Sequence, residues 1–169
     1  MTEGTPAVLS LGSNLGDRER NIREAIADIA ILPGVTVVAA SGLVETSAVK
    51  PSGVDAAAPA YLNAILRVTT TLPAPELLAA VAAIELRHGR VRKVRWGDRT
   101  LDIDIVIYGD LQQDDVALTL PHPRAAERSF VLVPWLETDP DAVLPGIGRV
   151  DGLSAASESV SRYPAEASS

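Results

Sequence analysis

The chain has no cysteine. A disulfide framework, a thiolate metal site and a cysteine nucleophile are therefore excluded. Aromatic residues make up only 4% of the 169 residues, so each one beside a polar motif carries weight. No apolar run approaches the roughly 18 residues of a membrane span. Met1 to Pro6 lacks a basic stretch followed by an apolar one, so no secretory signal is expected and the expected location is cytoplasmic. Positive charge is also in short supply. The formal net charge is -7, a poor starting point for general nucleic-acid binding.

Apolar material is plentiful, with 47% hydrophobic and 22% charged residues, enough for one ordinary domain with a real core. We expect that domain over residues 1–151, followed by a disordered tail over 152–169 that is rich in Ser, Ala and Glu and has no apolar period. The basic residues are unevenly spread. Six of the fifteen lysines and arginines (Arg87, Arg90, Arg92, Lys93, Arg95 and Arg99) fall in one stretch. Such a patch on an acidic protein suits a small, highly charged anion. The alternative is an ordinary solvated loop.

Local patterns give the element order. Ala7–Leu11 is a short apolar run that reads as a buried strand, and Gly12–Asp17 a turn with helix-capping chemistry at its end. Ile22, Ala25, Ile26 and Ile29 then recur at helical spacing until Pro33-Gly34. Val35–Val44 is rich in β-branched residues and reads as one strand, and 48–60 as a loop. Tyr61–Thr71 alternates, with Leu62, Ala64, Leu66 and Val68 on one side and Tyr61, Asn63, Ile65 and Arg67 on the other. A helix opens near Pro75, with Leu77, Leu78, Val81 and Ile84 as its buried stripe. Leu101–Tyr108 is a fourth strand, and Ser129–Thr138 a short helix with Phe130, Val133 and Trp135 partly buried. The order β-α-β-β-α-β predicts an α+β, ferredoxin-like sandwich with an antiparallel sheet and additional C-terminal elements.

The strongest chemical signal is Arg99-Thr100-Leu101-Asp102-Ile103-Asp104-Ile105. On a strand, Asp102 and Asp104 project together while Leu101, Ile103 and Ile105 enter the core. Two carboxylates on one face call for a cation, and magnesium suits an all-oxygen pair. Beside arginines that can hold phosphate, they match the needs of phosphoryl transfer. The alternative is that both simply face solvent. Trp96, between Arg95 and Gly97, could close over a flat ligand or anchor its loop. Tyr61 and Asn63 share a strand face and could stack on, and bond the edge of, a heterocycle, although a half-exposed strand face is the commoner meaning of that pattern. His122 between two prolines could touch phosphate, or be plain surface.

Several motifs in order resemble the 6-hydroxymethyl-7,8-dihydropterin pyrophosphokinase family over roughly Val8 to Pro145. They are GSNLG at 12–16, Glu45-Thr46, Tyr61-Leu62-Asn63-Ala64, ELRHGRVRK at 85–93, RWGDRTLDIDI at 95–105, Leu120-Pro121-His122-Pro123 and Arg128-Ser129-Phe130. The resemblance implies transfer of pyrophosphate from ATP to 6-hydroxymethyl-7,8-dihydropterin, releasing AMP, in folate synthesis. It implies two magnesium ions held by Asp102 and Asp104, with Arg90 and Arg99 on the transferring phosphates. Glu85, Arg92, Trp96, Ile105, Thr119, His122 and Arg128 would bind ATP. Tyr61 and Phe130 would sandwich the pterin, with Thr46, Asn63, Val49 and Trp96 around it. A monomer acting on small molecules, without nucleic acid or membrane, is expected. The 48–60 loop is longer than in commonly pictured members, and the 90–96 loop one residue shorter than in some. A small-anion regulatory module and a magnesium-dependent nucleotidyltransferase are the rival readings.

Overall fold

The structure, a computed structural model, describes residues 4–14, 17–46, 49–50, 53–54, 61–88, 101–157 and 160–163. Its strands and helices run β1 (Thr5–Ser13), α1 (Arg18–Ala30), β2 (Val35–Ala40), β3 (Leu43–Thr46), β4 (Val49–Lys50), β5 (Gly53–Val54), β6 (Tyr61–Thr70), α2 (Ala74–Arg87) and β7 (Asp102–Tyr108). They continue with β8 (Gln113–Asp114), β9 (Thr119–Leu120), α3 (Ser129–Thr138), β10 (Val143–Leu144), β11 (Gly148–Arg149) and β12 (Ser161–Tyr163). The six-stranded main sheet has the order β12-β3-β6-β1-β7, with β2 also on β6, and all its pairings are antiparallel. The result is a mixed helical and antiparallel-sheet fold.

Alternation along the strands sorts side chains into two cores. Leu9, Leu11, Leu62, Ala64, Leu66, Val68, Ile103 and Ile105 face α1 and α2, which contribute Ile22, Ala25, Ile29, Leu77, Val81 and Ile84. Val8, Ile65 and Val106 face the other way and pack with Val131, Leu132 and Trp135 of α3. Each fully buried Leu or Ile contributes about 1.5–3 kcal/mol, so the first core dominates stability. Alternation turns Val106 away from the core that Ile105 enters, and the register shift between Val8 and Leu9 lets the next residue, Ile107, pack against the same second core as Val106. The Asp17 side chain accepts from the Arg20 N–H and starts α1, while Gly34, at φ +81, occupies the left-handed turn that leads into β2.

Four expectations need correction. Gly12 and Ser13 belong to β1 rather than to a turn, because their backbones continue the ladder with Asn63 and Leu62. Val35–Val44 is two strands, not one: at Ser41 the backbone N–H bonds the Ile65 carbonyl and the hydroxyl accepts the Ile65 N–H, which interrupts the ladder. Trp135 is fully buried rather than partly so, beside the buried Val131 and Leu132, while Phe130 and Val133 are partly buried as expected. The stretch from Gly152, expected to be a tail without structure, carries a short 3-10 turn at Ser154–Ser157 and the strand β12. Ala155 is buried in the second core, and β12 pairs with β3 along the backbone, a pairing that leaves no apolar period in the sequence. No helix among the described residues is long and apolar enough to cross a membrane.

Candidate active site

α3 covers only part of its face of the sheet. Beyond Ile65 that face becomes polar, because the alternation continues through Asn63 and Tyr61 on β6, Gly12 on β1, and Asp102 and Asp104 on β7. The register sets these residues side by side. Asn63 is opposite Gly12, and Gly12 is opposite Asp102; two residues to one side of this row Tyr61 is opposite Thr46, and two residues to the other side Ser10 is opposite Asp104. The Asn63 amide nitrogen donates to the Thr46 hydroxyl at 3.0 Å, which fixes the side chain's orientation although the residue is only 5% exposed. The amide oxygen is left over Gly12. A methyl group at Gly12 would stand 3.2 Å from that oxygen and 3.7 Å from the Tyr61 ring, so the missing side chain makes an open floor between them.

At the other end, Leu101, Ile103 and Ile105 are buried and the two aspartates are half-exposed on the opposite face, as alternation predicts. Asp104 Oδ2 lies 3.8 Å from His122 Nε2 and 3.9 Å from an Arg128 guanidinium nitrogen. The Arg124 backbone N–H donates to His122 Nδ1 at 3.2 Å, so the neutral ring carries its proton on Nε2, toward Asp104. Burial first, and then the Arg128 charge, push the His122 pKa down to about 4. The ring is therefore neutral at physiological pH. Arg128 stands over the Phe130 ring, its guanidinium carbon 5.6 Å from the ring centroid, a cation–π arrangement that couples the basic side of the site to its aromatic wall. His122 is held through its own N–H, which bonds the Val106 carbonyl of β7 at 2.8 Å.

Among the described residues no cluster of three or more His, Asp and Glu side chains could hold a metal ion. The Asp pair instead fits a hard cation that takes its remaining ligands from phosphate and water, the usual coordination of magnesium. Thr119, on β9, donates its hydroxyl to the Asp115 carbonyl. The Ile105 side chain lies in the first core, so only its backbone can face a ligand. Glu85, expected beside the nucleotide, is buried on α2 and accepts the Ile103 N–H at 2.9 Å. Arg90, Arg92, Trp96 and Arg99 lie outside the described residues, as does the Val49 side chain, whose backbone forms part of β4.

Two features went unread in the sequence although signals existed. Ser10 and Gly12 alternate with Leu9 and Leu11, which marks them as the polar face of β1. Glu85 falls at helical spacing after Leu77 and Val81, on the buried stripe of α2.

Residues 8–140 match the family model of HPPK, 7,8-dihydro-6-hydroxymethylpterin-pyrophosphokinase. The chain is 41% identical over 143 residues to a 2-amino-4-hydroxy-6-hydroxymethyldihydropteridine pyrophosphokinase of Synechocystis, covering 85% of this chain and 71% of that one. It is 37% identical over 158 residues to the protein of the same name from Pseudomonas aeruginosa, covering 92% and 95%. In fold it resembles a solved Plasmodium falciparum HPPK-DHPS structure with a TM-score of 0.65 at 13% identity, over 87% of this chain and 44% of that one. A second HPPK-DHPS structure, in complex with substrates, gives a TM-score of 0.62 over 87% and 42%, so this chain spans less than half of each of those longer chains. With about four-fifths of its length matching one family model and a relative of the same name covered over 95% of its length, this chain belongs to the 7,8-dihydro-6-hydroxymethylpterin-pyrophosphokinase family.

Proposed function

We propose that this chain transfers a pyrophosphoryl group from ATP to 6-hydroxymethyl-7,8-dihydropterin, a step of folate synthesis, on the polar end of the α3 face. The observation that carries the reading is the row Asn63–Gly12–Asp102, which sets a group able to bond a heterocycle's edge beside a carboxylate able to hold a metal. Tyr61 and Phe130 are the stacking walls, Asn63 and Thr46 bind the polar edge, and the Val49 backbone and Trp96 complete the pterin pocket. Asp102 and Asp104 would hold two magnesium ions together with the triphosphate. Magnesium, when bound, screens the phosphate charge that would otherwise repel the incoming oxygen.

Arg90 and Arg99 hold the transferring phosphates; Arg92, Thr119, His122, Arg128 and the Ile105 backbone hold the rest of ATP. A neutral His122 donates from Nε2 without adding a charge beside Arg128. The pterin hydroxyl oxygen bonds the β-phosphorus as the bond from that phosphorus to the α–β bridging oxygen breaks. AMP leaves, the hydroxyl proton is released, and no protein nucleophile takes part. The strand order supports a ferredoxin-like sandwich as the scaffold. One catalytic domain over 1–151, monomeric and cytoplasmic, working without nucleic acid or membrane, completes the reading.

Product analysis tests it. ATP and the reduced hydroxymethylpterin should give AMP and the pterin diphosphate in a magnesium-dependent reaction. Release of pyrophosphate would indicate nucleotidyl transfer instead, and ligand binding without AMP would indicate a non-catalytic module.

A further inference from the structure

Among the described residues β7 has one strand neighbour, β1, and is the last strand of the sheet. Residues on such a strand turn backbone groups outward, where they need other partners. Two outward groups of β7 are held, one on each side of Asp104. Val106 accepts the His122 N–H at 2.8 Å. Ile103, which stands between the two aspartates, donates its N–H to Glu85 Oε2 at 2.9 Å in a buried hydrogen bond. Glu85 comes from the α2 side of the sheet, whereas the aspartates project from the opposite face. An apolar residue would be the default on this stripe of α2, since burying a carboxylate is costly unless it is well bonded. A carboxylate acceptor, in turn, makes a stronger bond to a backbone N–H than a neutral one does.

We propose that Glu85 is a positioning residue: it replaces a missing neighbouring strand at Ile103 and thereby fixes the projection and spacing of Asp102 and Asp104. The inference rests on the reading of those aspartates as the magnesium site. It assigns Glu85 a place behind the metal ligands rather than among the groups that touch the nucleotide.

The test uses the full chain with Glu85→Ala and Glu85→Gln. Glutamine keeps an oxygen that can accept the Ile103 N–H; alanine does not. In Glu85→Ala the Ile103 amide should exchange at least about tenfold faster. Binding of a magnesium-loaded, non-hydrolysable ATP analogue should weaken by roughly 10- to 100-fold, as for other groups that orient metal ligands. Binding of the same analogue in EDTA should not change. Glu85→Gln should restore most of the exchange protection and of the magnesium-dependent affinity. The proposal is overturned if Glu85→Ala weakens binding equally with and without magnesium, or if Glu85→Gln loses nucleotide affinity while Ile103 stays protected. Should the alanine variant not fold, the glutamine variant alone decides by that second criterion. Asp102→Asn, measured in parallel, separates the two readings. If it keeps full magnesium-dependent binding, the metal site itself is misplaced. If it loses that binding while Glu85→Ala keeps it, only the role of Glu85 falls.

Discussion

The two faces of the sheet are built from the same strands and do different work. Toward α1 and α2 the sheet is apolar from Val68 to Leu62 on β6 and from Leu9 to Leu11 on β1. Toward α3 it is apolar only around Val8, Ile65 and Val106, and then gives way to Asn63, Tyr61, Gly12 and the two aspartates. A face that must stay open and polar contributes little to holding the chain together, so the helix face carries the stability. Because alternation separates the two faces residue by residue, a change on one should leave the other nearly untouched.

The sharpest way to break that separation is Asp104→Ala. We expect turnover to fall by about a thousandfold, the size of effect seen when a group stabilising transition-state charge is removed. Thermal melting should stay within a few degrees of the parent, and an equally large loss of stability would show that the polar face is also structural. The mirror-image change is Leu66→Ala on the helix face. It should cost about 2–5 kcal/mol in urea unfolding, while the protein that remains folded turns over near the parent rate.

Smaller effects sharpen the boundary. Gly12→Ala places a methyl group 3.2 Å from the Asn63 amide oxygen, so Asn63 must give way by a few tenths of an ångström. The KM for the pterin should rise several-fold with little change in melting temperature, and an unchanged KM would remove Gly12 from the pocket floor. The smallest effect expected is in acid. The His122 pKa is lowered to about 4 from the ordinary 6.5 by burial and Arg128. Between those values the unfolded chain binds the proton that the folded ring resists. His122 therefore costs stability as pH falls from 6.5 toward 4 and has no effect above that window. Without divalent ions or nucleotide, His122→Gln should flatten the loss of stability across that range, as followed by urea unfolding at several pH values. An unaltered slope would mean that the ring is not held neutral.

Much of this was legible in the sequence because it depends on local period alone. The two faces of β6, the joint projection of Asp102 and Asp104, and the bounds of α3 follow from alternation and composition within a few residues. What was not legible depends on distant partners. The break at Ser41 is made by Ile65, 24 positions away. The place of β12 is decided by the backbone of β3, and the open floor at Gly12 has meaning only beside Asn63 and Tyr61. The family resemblance implies a nucleotide role for Glu85, its helical spacing puts it on a buried stripe of α2, and its hydrogen-bond partner on β7 is 18 positions away. The arginines that dominate the reading of charge lie in the stretch from 89 to 100, outside the described residues.

The ladder row that joins Asn63, Gly12 and Asp102 has a metric consequence. Two steps across a sheet span about 10 Å, whatever the side chains. The lateral offset between the heterocycle's edge and the metal-bound phosphates is thereby set by hydrogen-bond geometry rather than by rotamers. Substitution can tune either end, but only a slip of register could alter the interval, and a one-residue slip of either outer strand would turn its end of the row to the wrong face. A pair of substrates needing a different separation would require a different sheet.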